Sequence, residues 1–225
     1  MQDVENHERV HRMLLGPLER PALRWLAANL PRWTTPDMMT IVGVLGSVLV
    51  FAGYCLTRSH KGFLWLANLG FLINWFGDSM DGTLARYRKI ERPKYGFFVD
   101  HTVDSLCQVL VFVGLGLSYY VRLDIASLAC IGYLLMSILA YVGAIVSGEF
   151  KISYGGIGPT EMRLIAVLAN VLIFFLGNPL LRLGSLSLTV FDLMAAIVTI
   201  GLYIMFLASA FSQARKWSKL DPAKD

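Results

Sequence analysis

Asp78-Ser79-Met80-Asp81-Gly82-Thr83-Leu84-Ala85-Arg86 closes one long apolar segment, and Gly96-Phe97-Phe98-Val99-Asp100-His101-Thr102-Val103-Asp104 opens the next. Asp78 and Asp81 are spaced i,i+3, and Asp100 and Asp104 are spaced i,i+4. On helices each pair therefore shares a face. Four anions in or beside a bilayer are too costly to keep without compensation. Divalent cations supply it, and hard carboxylate oxygens suit Mg²⁺, Mn²⁺ or Ca²⁺.

The rest of the chain makes the bilayer the right solvent to consider. Of 225 residues, 56% are hydrophobic and only 16% charged, the composition of a membrane protein rather than a soluble one. Runs poor in charge predict an all-α integral membrane protein with six transmembrane helices, over 37–57, 62–86, 95–120, 124–148, 160–181 and 187–213. The second and third are apolar only in their outer parts, and their other ends carry the acids. A helix of about 25 residues is ~37 Å long, longer than a hydrocarbon core of ~30 Å. The acidic ends can therefore sit at one interface, in reach of water. Cys55, Cys107 and Cys130 lie in apolar segments and read as small core residues, without disulfide or metal spacing. The first long apolar run begins only at Met38, so a cleaved leader is not expected.

Orientation follows from the basic residues. Arg9, Arg12, Arg20, Arg24, Arg32, Arg86, Arg88, Lys89, Arg92, Lys94, Lys151, Arg163, Arg215, Lys216, Lys219 and Lys224 fall on one side, and Arg58, Lys61, Arg122 and Arg182 on the other. Both termini and all four acids are thus expected in the cytosol. Because the basic residues lie where topology requires them, no nucleic acid is expected as a partner. Leu23, Trp25, Leu26 and Leu30, mixed with Arg24 and flanked by Arg20 and Arg32, predict an N-terminal amphipathic helix, lying in the cytosolic interface or packed as a cap on the bundle. The expected division is 1–34 for this region, 35–214 for a six-helix catalytic domain and 215–225 for a basic cytosolic tail.

Taken together, Asp78, Asp81, Gly82, Ala85, Arg86, Gly96, Asp100 and Asp104 fit D-x2-D-G-x2-A-R, a gap, then G-x3-D-x3-D. This pattern resembles the signature of the CDP-alcohol phosphotransferases. The resemblance implies a metal-dependent transferase of phospholipid synthesis that uses two Mg²⁺ or Mn²⁺ ions to move a phospho-alcohol group from a CDP-linked donor to an acceptor hydroxyl, releasing CMP. It makes Asp78, Asp81 and Asp100 metal ligands and assigns Asp104 to the second ion or to proton abstraction. Family members often form homodimers, so a homodimer in membrane lipid is expected by resemblance alone.

Physical roles can be set beside these. Two divalent ions between four carboxylates would neutralise a pyrophosphate donor and orient its phosphorus for in-line attack. Gly82 and Ala85 continue the Asp78/Asp81 face, and small residues there let a nucleotide or a neighbouring helix approach closely. Arg86 can bind a phosphate with its planar fork or serve as a positive-inside anchor. Ahead of the first span stands Thr35-Pro36-Asp37-Met38-Met39-Thr40-Ile41-Val42-Gly43. It resembles the family's P-N-x-x-T-x-x-G, with Asp37 in place of Asn. Thr35 and Pro36 suit a helix start, and Thr40 is the candidate for nucleotide contact.

Two further matches point to a branch. Asp100-His101-Thr102-Val103-Asp104-Ser105-Leu106 resembles the D-H-x-x-D-S-L of the eukaryotic choline and ethanolamine phosphotransferases, and Thr160-Glu161 resembles their T-E element. The resemblance makes His101 and Glu161 candidates for activating a lipid hydroxyl. Their plainer readings are a polar interface residue and a first-turn helix cap. A CDP-choline- or CDP-ethanolamine-type donor with a diacylglycerol-type acceptor is the leading expectation. The alternative is a CDP-diacylglycerol donor with a small polar alcohol. If that alcohol is phosphorylated, Lys151, Arg163 and Arg92 are the cations available, and each also reads as a solvated interface residue. An ion-coupled transporter is the different-class rival, but it would favour acids near mid-bilayer and paired broken helices. The acids here gather at one end, and no second half mirrors them.

Overall fold

The computed structural model describes residues 9–10, 15–147, 150–151, 158–183 and 186–222. Seven helices carry the fold: α1 Gly16–Asn29, α2 Pro36–Leu56, α3 Phe63–Arg88, α4 Pro93–Leu117, α5 Leu123–Ser147, α6 Pro159–Leu176 and α7 Val190–Leu220. Two small pairings accompany them. Strand β1, Arg9–Val10, pairs in parallel with β2, Phe150–Lys151. Strands β3, Leu180–Leu183, and β4, Leu186–Thr189, form an antiparallel hairpin between α6 and α7 with Leu180 opposite Thr189.

The sequence writes these boundaries in local chemistry. Thr35 caps α2, its hydroxyl accepting from the Met38 amide at 3.2 Å, and Pro36 follows at the first helical position. Lys89 ends α3 in the left-handed conformation with φ 57°, and Pro93 starts α4 after a short turn. The fifth predicted span is shorter than expected. Gly177, at φ 80°, ends α6 at Leu176, and Pro179 cannot continue a helix, so residues expected to be helical enter the hairpin. The last helix is longer than expected and runs to Leu220, through most of the stretch read as a tail.

Five helices, α2, α4, α5, α6 and α7, are long and apolar enough to cross a membrane. The helix α3 falls outside that set, and its last turns hold Asp78, Asp81, Arg86 and Arg88. Large apolar side chains on the helices face outward, among them Ile41, Leu72, Ile145, Phe175 and Phe211, as expected where the surroundings are lipid rather than water.

The tightest seam joins α2 to α3, and glycine makes it possible. A β-carbon on Gly77 would strike the backbone of Gly43 and come within 2.5 Å of the Met39 carbonyl oxygen. One on Gly46 would lie 2.7 Å from the Asn74 α-carbon and 2.8 Å from the Gly70 carbonyl oxygen. No side chain fits at these positions, so the helix backbones touch. Buried amides lock the register. Asn74 donates to the Gly43 carbonyl at 3.0 Å and to the Ser47 hydroxyl at 2.9 Å. Further along, Asn170 of α6 donates to Asn68 at 2.8 Å and accepts from the Tyr54 hydroxyl at 3.1 Å. Such bonds average only about 0.6 kcal/mol in a bilayer, but a buried polar group left alone costs about 1–3 kcal/mol. The network therefore selects which faces meet more than it glues them.

The helix α1 lies against α3. Leu23 and Ala27 bury with Met39, Met80 and Leu84 in a small apolar cluster, while Leu18, Trp25 and the following Trp33 stay exposed. Arg88 ties down the far end: its guanidinium donates to the carbonyls of Leu30, Pro31, Arg32 and Thr34. A cation there satisfies the open carbonyl at the C-cap of α1 and gathers those of the connection to α2.

Candidate active site

The helices α3 and α4 each pack chiefly on α2 rather than on one another. A cavity remains between the three, lined by Thr40, Gly43, Val44, Asn74, Asp78, Asp81, Asp100, Val103, Asp104 and Cys107. All four predicted acids reach it. Carboxylate oxygens of Asp78, Asp100 and Asp104 lie within 4.8 Å of one another. One turn of α3 and two of α4 thus converge on a single point from opposite walls.

Asp81 lines the same cavity but stands apart from that group of three. Its Oδ2 accepts from the Thr40 hydroxyl at 2.8 Å, and its Oδ1 from the Gly82 amide at 2.5 Å. Thr40, expected to contact a nucleotide, is thus placed in the site by α2 and bonded to an acid of the motif.

A cation enters from α6. Arg163 Nη2 lies 2.6 Å from Asp78 Oδ2, with both side chains largely buried, at 17% and 20% exposed. An ion pair with so little access to water stands only if its geometry is good. Of the three basic residues considered for a phosphorylated acceptor, Arg163 is therefore inside the site. Arg92 is at the surface, paired through one nitrogen with both oxygens of Asp37 at 2.8 Å and lying over the Tyr95 ring. The Lys151 side chain lies outside the described residues.

The remaining predicted residues fall in different places. Gly82 and Ala85 are half-buried on α3; a β-carbon at Gly82 would meet the Arg86 guanidinium at 3.1 Å. Arg86 is exposed on the last turn, within 3.3 Å of the Thr83 hydroxyl. Gly96 is exposed in the first turn of α4, where a β-carbon would have open space, so packing among the described residues does not demand glycine there. His101 sits beside the acids with Nδ1 3.8 Å from Asp100 Oδ2. Its ring meets Phe97 edge-on at 4.2 Å and stacks on Tyr141 of α5 at 4.8 Å.

Glu161 was expected, with His101, to activate a lipid hydroxyl, and its hydrogen bonds lie elsewhere. Oε2 accepts from the Gly158 amide at 2.9 Å and Oε1 from the Leu15 amide at 3.1 Å. The first bond closes the start of α6; the second fastens the segment leading into α1. Both oxygens serve backbone, the capping role that a first-turn acid takes naturally.

Three residues of the site's surroundings escape a reading by motif. Asn74 is one turn before Asp78, and Cys107 is three residues after Asp104; helical spacing from the acids would have placed both on the cavity wall. Glu19 of α1 carries no such signal. Its Oε1 accepts from Trp75 Nε1 at 2.7 Å, from the Ser79 hydroxyl at 3.0 Å and from the Thr160 hydroxyl at 3.3 Å.

Comparison with known proteins bears on this arrangement. The chain is 30% identical over 177 residues to cholinephosphotransferase 1 of Gallus gallus, covering 74% of this chain and 51% of the relative. It is 33% identical over 103 residues to an archaetidylinositol phosphate synthase of Pyrococcus horikoshii, covering 46% of this chain and 52% of that one. The chain spans about half the length of the curated relatives it matches. In structure it resembles the phosphatidylinositol phosphate synthase of Mycobacterium tuberculosis, solved with CDP-DAG bound, at a TM-score of 0.60 and 21% identity, over 85% of this chain and 92% of that one. That likeness is one of fold. The model of the CDP-alcohol phosphatidyltransferase family matches residues 33–214, a stretch that holds α2 to the end of the bundle and all four converging acids, and the chain belongs to that family.

Proposed function

We propose that this protein is a metal-dependent CDP-alcohol phosphotransferase of phospholipid synthesis, moving a phospho-alcohol from a CDP-linked donor to an acceptor hydroxyl with release of CMP. The observation that carries the reading is the meeting of Asp78, Asp100 and Asp104 within 4.8 Å in a cavity that Asp81 also lines. The donor set fits divalent cations: it is made of hard oxygens, drawn from two helices, and too concentrated in charge to stand without compensation. Asp78, Asp81, Asp100 and Asp104 would hold Mg²⁺ or Mn²⁺, two ions in the full site. When bound, such ions polarise phosphoryl oxygens and offset the charge that develops during transfer.

The chain's own residues do the rest. Asp78 holds Arg163 at the wall of the site, and its guanidinium is suited to a phosphate oxygen of either substrate. Thr40 holds Asp81 in one orientation. Arg86, exposed at the end of α3, would take the donor's phosphates, and Gly82 would leave room beside it. A base must take the acceptor's proton as the new P–O bond forms. Asp104 and His101 are the candidates, and with Glu161 bonded to backbone His101 would act without it.

For the substrates, the leading reading is a CDP-choline- or CDP-ethanolamine-type donor with a diacylglycerol-type acceptor. His101 next to Asp100 and the likeness to cholinephosphotransferases support it. The second reading, a CDP-diacylglycerol donor with a small polar alcohol, draws support from Arg163 in the site and from the inositol phosphate synthase relatives. Release of CMP by purified protein with Mg²⁺ distinguishes them. The first predicts turnover with CDP-choline or CDP-ethanolamine plus diacylglycerol, and none with CDP-diacylglycerol plus serine, glycerol phosphate, inositol or inositol phosphate. The reverse pattern establishes the second.

In the membrane we read α2 to α7 as six spans. The acidic end of α3 is at the interface, both termini are cytosolic, and α1 rests in the cytosolic headgroup layer with Leu18, Trp25 and Trp33 toward lipid. Residues 1–34 form the interfacial region and 35–214 the catalytic domain, assembled as a homodimer. The segment from 215, helical to Leu220, continues α7 into the cytosol.

A further inference from the structure

One carboxylate of α1 reaches in behind the candidate site. Glu19 belongs to α1, yet its side chain ends between α3 and α6, where Trp75 and Ser79 donate from one helix and Thr160 from the other. Ser79 directly follows Asp78, and Thr160 stands three residues before Arg163. Asp78 and Arg163 in turn join at 2.6 Å. Five links close a ring: Glu19 to Ser79, along the backbone to Asp78, across to Arg163, back down one turn to Thr160, and to Glu19 again. Such a ring fixes α3 and α6 in both distance and rotation. A single contact between Asp78 and Arg163 would leave α6 free to pivot about it.

The place of Glu19 in its own helix does not explain where its carboxylate goes. Glu19 stands in the first turn of α1, where an acid favours the helix dipole, but that would be satisfied in water without reaching another helix. An indole N–H and a serine hydroxyl converge on one oxygen, a hydrogen-bond pattern that holds a side chain in place. The α1 segment is also fastened at its start by Glu161, through the Leu15 amide, and at its end by Arg88. Both of these residues sit on the same two helices, α6 and α3. The helix α1 is therefore clamped across α3 and α6 at three points, with Glu19 the one nearest the acids in sequence contact.

We propose that Glu19 is a positioning residue that sets the placing of Asp78 and Arg163 from outside the bundle, so that α1 determines how well the acidic site binds metal. This rests on the metal-site reading above. Partners behind a ligand, when removed, commonly weaken metal binding by about 10–100-fold; Arg163 is such a partner of Asp78, and Glu19 steadies it through Thr160 while bracing the α3 turn at Ser79.

The test is Mn²⁺ binding to purified, detergent-solubilised full chain, followed by loss of the free-ion electron paramagnetic resonance signal, with the unfolding midpoint measured for each variant. Glu19→Ala is expected to raise the Kd for Mn²⁺ about 10-fold or more. Glu19→Gln, which keeps an acceptor oxygen, recovers most of that loss. Ser79→Ala combined with Thr160→Ala weakens binding to a similar extent, and adding Glu19→Ala to that pair has little further effect, because one linkage is being cut from both ends. If Glu19→Ala yields no folded protein, the Ser79 and Thr160 pair decides by the same criterion. Wild-type Mn²⁺ affinity in these variants, with only a lowered unfolding midpoint, overturns the proposal and leaves α1 a structural clamp. Asp78→Asn keeps the two ideas apart. If it loses Mn²⁺ while the Glu19 variants do not, only the positioning role fails; if it binds as wild type does, the metal site itself is wrong.

Discussion

Asp78 is held by the Arg163 guanidinium while facing Asp100 and Asp104 across the cavity, so its carboxylate has little freedom left to relax. Asp104 sits one turn beyond Asp100 on the same face of α4. A carboxylate bound to a cation is a poor base, because the cation lowers its proton affinity, and this favours His101 as the group that takes the acceptor's proton. His101→Ala is then expected to lower kcat about 10²-fold or more with the donor KM nearly unchanged, measured by CMP release. Activity near wild type in His101→Ala beside a dead Asp104→Asn moves the base to Asp104. The four acids were legible from sequence because a charge in an oily run stands out whatever the fold. The capping role of Glu161 was legible only as one of two readings, since an acid in a first turn suits both. Arg163 was visible as a cation, but its pairing with a residue 85 positions away is a product of packing. Glu19 was silent, because Thr160 is 141 positions away and the bond runs between helices that no local pattern relates.

At the level of the elements, α2 and α3 form the frame on which the site is built. Gly43, Gly46, Gly70 and Gly77 bring their backbones into contact, and that contact sets how far Thr40 stands from Asp81. Gly77→Leu would force the seam open at the turn carrying Asp78. Overpacking of this kind costs typically about 1–3 kcal/mol, and here the obstruction is backbone, which cannot move aside as a side chain would. A lower unfolding midpoint and loss of most CMP release are expected together. Gly201→Leu serves as the control, since a β-carbon there meets nothing within 4 Å; equal losses in the two variants would remove the seam from the explanation. Helix number and most boundaries were readable from hydropathy, proline and threonine caps. The hairpin was not: a break between the spans ending at 181 and starting at 187 was legible, but strands of four residues, Leu180–Leu183 and Leu186–Thr189, are too short to stand out and their outer residues were read into the flanking helices. Gly177 and Pro179 betray the end of α6.

For the molecule as a whole, the acids gather at one end of the bundle, beside the end that carries most of the arginine and lysine. That asymmetry predicts a cytosolic site. Cysteine placed at Arg86 is expected to react in intact cells only with membrane-permeant reagents, and cysteine placed at Arg58 with impermeant ones. The opposite pattern would invert the topology and put the site on the wrong side for cytosolic CDP-linked donors. The central claim is that Asp78, Asp81, Asp100 and Asp104 form one metal-dependent centre for phosphoryl transfer, and release of CMP from the CDP-linked donor panel by purified wild type and by Asp78→Asn, Asp81→Asn and Asp100→Asn tests it most directly. The account predicts turnover that vanishes with a chelator, returns with Mg²⁺ or Mn²⁺, and falls at least ~10²-fold in each variant; turnover indifferent to chelation, or all three variants working near the wild-type rate at limiting Mg²⁺, would contradict it.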